Sequence, residues 1–173
     1  MFSIRKAIPS DAKALPAIEH SAAQTFRDHP QFGWIADDEV QSEQDHLNYI
    51  FQEMEWVAVD SADQPIAFIN VERLQESIHI CEVSVCQPWQ GKRVGRQLLQ
   101  QVLEFALQQG VGAVTLTTFR DVAWNAPYYQ RLGFSVIQES ELTAELVEIL
   151  QQEVDAGFKS EHRCAMRLIT SGK

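Results

Sequence analysis

Residues 77–118 read SIHICEVSVCQPWQGKRVGRQLLQQVLEFALQQGVGAVTLTT, and their order of patterns decides the fold. Ser77 to Cys86 is short, apolar and rich in β-branched residues, the composition of a strand. Pro88 removes a backbone donor and ends it. A glycine-containing loop follows. Val94, Leu98, Leu99, Val102, Leu103 and Ala106 then recur on one face of a helix, with Gly110 as its C′ stop. Val111 to Thr118 is β-rich again. Strand, loop, helix, strand in this order predicts a parallel crossover, which is right-handed in nearly all proteins.

Working outward, Phe2 to Ala7 alternates and reads as a first strand. Pro9-Ser10-Asp11 offers helix-start chemistry, with Ser10 or Asp11 as N-cap. Ala12, Leu15, Ile18, Ala22 and Phe26 follow at helical spacing. Residues 27–37 read as a loop with exposed aromatics, and Val40, Leu47, Ile50, Phe51 and Met54 fit a second helix. Trp56 to Asp60 and Ile66 to Leu74 form a hairpin about the turn at 61–65. Beyond the crossover come a short helix over Trp124 to Leu132, stopped by Gly133, and a strand over Phe134 to Gln138. An amphipathic helix bearing Leu142, Leu146, Ile149 and Leu150 precedes a last strand from about His162 to Ile169. With no linker, repeat or low-complexity tract, the reading is one domain over 1–173. Its class is α/β of the α+β type: a twisted, mixed, mostly antiparallel sheet of about six to seven strands with helices on both faces.

Composition narrows the functions. The formal net charge is −10, with 14 Lys+Arg against 24 Asp+Glu, so a phosphate-rich polymer is repelled and nucleic acid is excluded as an expected partner. A cationic partner is attracted, though acidity of this kind also serves solubility alone. Cys81, Cys86 and Cys164 are odd in number and form no CxxC pair, so neither a disulfide framework nor a metal site is expected. Cys81 and Cys86 are five apart, which in a regular strand puts them on opposite faces; small, buried, inert thiols are the reading. No apolar run approaches the roughly 20 residues of a spanning helix. Met1 to Lys6 lacks the h-region of a signal peptide. The expectation is a cytoplasmic protein with no membrane partner.

The chemistry centres on Gln87 to Arg96. Unpaired amides at a helix start, with its dipole, attract anions. Gly91 and Gly95 let the backbone approach a phosphate without a Cβ in the way. Lys92, Arg93 and Arg96 make this the most basic stretch of an acidic chain. Neither GxxxxGK[ST] nor GxGxxG is present, which excludes the NTP-binding and dinucleotide fingerprints. On these grounds alone a helix start with solvated bases stays open beside a polyphosphate site.

Glu82-Val83-Ser84-Val85 followed by Gln90-Gly91-Lys92-Arg93-Val94-Gly95 resembles motif A of the GNAT superfamily of N-acetyltransferases, whose loop is written Q/R-x-x-G-x-G/A. Asn125 to Phe134, NAPYYQRLGF, resembles its motif B. The likeness covers roughly 55–138, and its one departure is Arg93 where the loop's middle glycine stands. It implies a GNAT fold and acetyl-CoA as co-substrate. The pyrophosphate would rest on the amides of Gln90, Gly91, Lys92, Arg93, Val94, Gly95 and Arg96. The pantetheine arm would pair with Val83, Ser84 and Val85 and meet Asn125, a residue type that also caps helices well. Homodimers are common among such relatives.

Acetyl transfer to an amine needs a base, an oxyanion donor and an acid. The resemblance implies Tyr129 as the acid that protonates the leaving thiolate. Tyr128, about 100° round the helix, is expected to face the core. Glu82 is the candidate base through water, its alternative being an ordinary sheet-face glutamate. His79, three positions earlier, faces the other side of a regular strand, a relation that a bulge would change. The oxyanion donor would be an N–H near Val85. Trp34 and Phe119 are the candidate acceptor contacts. The resulting expectation is an N-acetyltransferase for a small, cationic primary amine; a protein lysine or N-terminal acetylase and a non-catalytic acyl-CoA sensor are the alternatives.

Overall fold

The computed structural model describes residues 1–170. One mixed, mostly antiparallel sheet runs in the order β1-β2-β3-β4-β5-β7-β6. Its strands are β1 Ser3–Lys6, β2 Glu55–Val59, β3 Pro65–Arg73, β4 Ser77–Val85, β5 Ala113–Phe119, β6 Ser135–Val136 and β7 Arg163–Ile169. The helices are α1 Leu15–Ala23, α2 Glu43–Phe51, α3 Val94–Gln108, α4 Ala126–Arg131 and α5 Ala144–Asp155. β4 pairs with β5 in parallel, Ser77 with Ala113 through His79 with Thr115, as the crossover pattern requires. The described residues divide into two compact units, Met1–Glu72 with Cys81–Val102, and Arg73–Ile80 with Leu103 onward.

The first unit closes on an apolar cluster that includes Leu15, Ile18, Ile50, Val57 and Phe68, with Leu47 and Cys86 packed against it. Full burial of a side chain such as Phe68 contributes about 1.5–3 kcal/mol. The first helix starts differently from expectation. Ile8 is the N-cap of a 3-10 turn, Pro9–Ala14, that leads into α1. Asp11 sits at the turn's third position, where its carboxylate accepts from Ile8 N at 2.8 Å and from Arg5 at 2.8 and 3.1 Å. The acid serves the helix start from inside it because Arg5 holds it there. α2 is capped by Ser42, whose hydroxyl accepts from Asp45 N while Asp45 accepts from Ser42 N, an arrangement worth about 1 kcal/mol.

Residues 24–41 between α1 and α2 are more ordered than a loop pattern suggests. Short 3-10 turns span Gln24–Phe26 and Gly33–Asp37. Gln24 donates to Ala36 O at 2.8 Å, and Arg27 pairs with both oxygens of Asp37 at 2.8 and 3.2 Å. A Cβ on Gly33 would stand 2.8 Å from the Arg27 carbonyl oxygen, so only glycine fits. Phe32 is buried and stacks on His29, contrary to a loop of exposed aromatics; Trp34 remains 43% exposed.

The second unit is built on the long β5–β7 ladder, Ala113 with Ile169 through Phe119 with Arg163. Ile137, Leu146 and Ala165 form its apolar cluster, with Leu142, Ile149 and Leu150 against it. Polar groups line the strands in satisfied pairs. Thr115 Oγ1 meets Ser77 at 3.1 Å and His79 Nδ1 at 2.8 Å. Thr117 donates to Glu153, which also takes Arg163 Nε at 2.9 Å. Burial holds His79 neutral, its pKa down to about 4.

Candidate functional site

In the first unit β4 and the loop after it carry the candidate residues. The parallel ladder with β5 spans Ser77 to His79, so Glu82 to Val85 lie outside it. Burial along β4 changes accordingly: Ser77 to Ile80 are buried, while Glu82, Val83 and Val85 are only half-buried. Ser84 Oγ donates to Glu82 Oε1 at 3.2 Å, which fixes the carboxylate of the candidate base.

β4 is not a regular strand. Tyr49 of α2 hydrogen-bonds Cys81, and Cys86 packs against the apolar cluster to which α2 contributes Ile50, so two residues five apart face the same side of the sheet. The ladder agrees. Leu74 N donates to Ser77 O, and Cys86 N donates to Ile66 O, so nine steps along β4 match eight along β3. One extra residue in β4 is a β-bulge, and it overturns the alternation expected for Cys81 and Cys86. Burial pushes the Cys81 thiol up to about 12 and raises Cys86 and Cys164 as well. All three are free thiols held protonated.

The loop is tied down before it turns. Gln87 N donates to Ser21 Oγ at 3.0 Å, and Gln90 Nε2 donates to Val85 O at 2.9 Å. Two left-handed residues follow, Gly91 at φ 75° and Arg93 at φ 66°. Arg93 stands where the motif has glycine and adopts the conformation glycine would. A non-glycine residue there carries strain of about 1–2 kcal/mol. Arg93 O accepts from Gln97 N, so Arg93 closes the N-terminus of α3, and the amides of Val94, Gly95 and Arg96 lie in its first turn without intrahelical acceptors. A Cβ on Gly95 would meet only Val85 Cγ2, at 3.7 Å.

The loop's cations stand apart from the four arginines that the fold pairs with acids. Arg5, Arg27, Arg163 and Arg167 are each ion-paired to a carboxylate. Among the described residues no ion pair engages Lys92, Arg93 or Arg96; Lys92 Nζ lies 5.4 Å over the Trp89 ring. Three like charges within five consecutive residues form a local positive field on an acidic protein.

The second unit carries the remaining candidates. Asn125 precedes α4 and makes no side-chain cap. Its Nδ2 donates instead to Trp124 O at 3.0 Å, so helix capping does not account for it. Tyr129 and Tyr128 are both half-buried and meet edge to face at 5.3 Å. Tyr129 rests on Phe134 at 5.8 Å, while Tyr128 lies under Arg131 at 5.8 Å. The chain turns back at Gly133 and brings buried Phe134 against Tyr129. Phe119 is 4% exposed, with Arg163 at 4.6 Å over its ring and Phe158 at 5.7 Å. It is a packing residue, which corrects its assignment as an acceptor contact.

Sequence reasoning missed a buried polar chain in the first unit. His46, Glu55 and Asn70 are all 0% exposed. His46 Nδ1 lies 2.7 and 3.0 Å from the two Glu55 oxygens, and Asn70 Nδ2 donates to Glu55 Oε1 at 2.7 Å. The available signal was an acid opening the apolar run Glu55-Trp56-Val57-Ala58-Val59.

Among the described residues no helix is long and apolar enough to cross a membrane, and no group of three or more His, Cys, Asp or Glu could hold a metal. Solved structures of similar shape include a GNAT-family acetyltransferase from Staphylococcus aureus Mu50, with TM-score 0.71 and 15% identity over 99% of this chain and 100% of that one. The PaiA N-acetyltransferase of Thermoplasma acidophilum, solved with coenzyme A, gives TM-score 0.70 and 15% identity over 98% and 99%. N-acetylglutamate synthase of Neisseria gonorrhoeae, solved with coenzyme A and N-acetyl-glutamate, gives 0.69 and 14% over 98% of this chain and 35% of that one. The family profile described as Acetyltransferase (GNAT) family matches residues 17–134, more than half of the length, and the chain belongs to that family of acyltransferases.

Proposed function

We propose that the whole chain is one catalytic domain, an N-acetyltransferase that moves an acetyl group from acetyl-CoA to the primary amine of a small molecule. The observation that carries this is the loop of residues 90–96, with its left-handed turns, first-turn amides and three cations outside any ion pair among the described residues. A pyrophosphate is the ligand such a loop suits. Gln90 to Arg96 would hold it. The backbone of Val83, Ser84 and Val85, outside the β5 ladder, would pair with the extended pantetheine arm as an added strand does. Asn125 would donate to the same arm.

The chemistry requires a neutral amine, and an alkyl amine has a pKa of about 10.4. Glu82, held by Ser84, would accept the ammonium proton through water. The amine nitrogen attacks the thioester carbonyl carbon, and an N–H near Val85 would stabilise the oxyanion. The C–S bond then breaks, and the Tyr129 hydroxyl would give the thiolate its proton. Trp34, with its exposed indole, would contact the acceptor. The acidic chain favours a cationic acceptor such as a polyamine or a lysine-type amine. The test is release of the coenzyme A thiol from acetyl-CoA across a panel of cationic and anionic amines, with loop variants as controls. Thiol release with no amine in the panel, or with anionic amines alone, would refute the reading.

A further inference from the structure

Gln41, just ahead of α2, is oriented from the core outward. The Glu55 carboxylate only accepts, so His46 Nδ1 carries the hydrogen and Asn70 turns its nitrogen toward the acid. The same nitrogen donates to Gln41 Oε1 at 2.8 Å, and Asn70 Oδ1 accepts from Gln41 Nε2 at 3.3 Å. The Gln41 backbone N–H donates to Glu19 Oε1 at 3.0 Å. The amide has one orientation that satisfies this chain, set by a His46–Glu55 couple it does not touch. An apolar plug of equal volume would be the more stable core; what the polar chain adds is one fixed amide.

That amide borders a cavity of about 460 Å³ with Asp45, Asn48, Tyr49, Gln52, Val71 and Glu72. The volume falls in the roughly 300–1,000 Å³ range of small-molecule sites. Gln41, Asp45, Asn48 and Gln52 share one stripe along the start and body of α2, about 16 Å long. The lining supplies two carboxylates, three amides, a phenol and no cation. With no metal-holding cluster among the described residues, the chemistry that suits these oxygens is an alkylammonium. Tyr49 also joins the cavity to β4, since its hydroxyl donates to Cys81, next to Glu82.

We propose that Gln41 is a specificity-determining residue: its fixed carbonyl oxygen, with Asp45 and Glu72, selects a linear aliphatic diamine by the ammonium that is not acetylated. This rests on the N-acetyltransferase reading. Two measurements on the full chain test it with 1,4-diaminobutane and butylamine as probes. In steady-state assays, Gln41→Leu and Glu72→Gln should each raise KM for the diamine about tenfold. KM for acetyl-CoA and kcat with butylamine should not move. A parallel fall in kcat with both amines marks a structural role and overturns the assignment. Calorimetry of the diamine needs no turnover: a diamine that does not bind, or binds equally to all variants, overturns it even if other amines are acetylated. Diamine binding that the variants weaken, with no thiol release from any amine, supports the cavity and refutes the acetyltransferase reading instead.

Discussion

Gly95→Ala should make the protein more stable and a poorer binder of acetyl-CoA. Gly95 is the second residue of α3. The added Cβ would sit 3.7 Å from Val85 Cγ2 with nothing else within 4 Å, so the folded chain accepts it without strain. Alanine in place of glycine gains up to about 1 kcal/mol in a helix interior. At the first turn roughly half of that is expected, a rise in Tm of about 1–2 °C for a chain of this size. The methyl group projects over Val85, where the proposed phosphate and pantetheine contacts begin. Losing one charge-assisted hydrogen bond to a helix amide costs about 1.5–3 kcal/mol, or roughly 10–150-fold in Kd. Urea unfolding without ligand measures the first effect, and titration calorimetry with acetyl-CoA the second. Gly95→Trp should stay folded and not bind. Affinity within twofold of wild type in Gly95→Ala would mean that this glycine is only a packing residue and that the loop holds no phosphate.

Tyr129→Phe should leave acetyl-CoA affinity unchanged and lower the single-turnover rate by about 10²–10⁴-fold, the usual worth of a general acid; an unchanged rate removes Tyr129 from that role. Glu55→Ala should cost about 3–5 kcal/mol by urea unfolding, because it strands His46 and Asn70, each 0% exposed; a loss under 1 kcal/mol would show that the pair relaxes. His79 introduces a pH dependence. Its folded pKa of about 4 lies below the 6.5 of an exposed histidine, so the unfolded chain binds the extra proton. Stability is therefore full above about pH 6.5 and falls as pH drops toward 4, by up to about 3 kcal/mol. His79→Gln should flatten that slope, measured by unfolding at stepped pH.

The strands and helices with clean periodicity were legible because side-chain period follows backbone geometry. β4, α3 and β5 stand within two residues of their expected ends. What escaped was set by partners distant in the chain. Asp11 looked like an N-cap, but Arg5 draws it to the third position of the turn. Phe32 looked exposed in a polar stretch, yet the Arg27–Asp37 pair and Gly33 fold that stretch over it. Cys81 and Cys86 obeyed alternation on paper, and one extra residue in β4 cancels it. The acid opening the Glu55 run hinted at a buried partner, but the His46–Glu55–Asn70 chain was not legible as one because its members come from three elements. At the candidate site the loop was legible because consecutive residues form it. The orientations of Asn125 and Tyr129 depend on Trp124 and Phe134 and were not.

Charge pairing changes what the acidity of this chain means. A formal −10 suggests a broad pull on cations, and Asp37, Asp38 and Glu39 follow closely on Trp34 in the chain. Arg27 neutralises Asp37 through two hydrogen bonds and lowers its pKa. Asp11, Glu55 and Glu153 are likewise matched, by Arg5, His46 and Arg163. Matched charges cancel within a Debye length of about 8–10 Å, so net charge alone selects no acceptor. The field is local instead: positive at residues 92–96, which no ion pair among the described residues engages, and negative between α2 and β3, where Asp45 and Glu72 line one cavity. A polyphosphate and an ammonium would then be drawn to separate parts of the same unit, each by the sign of the side chains gathered there.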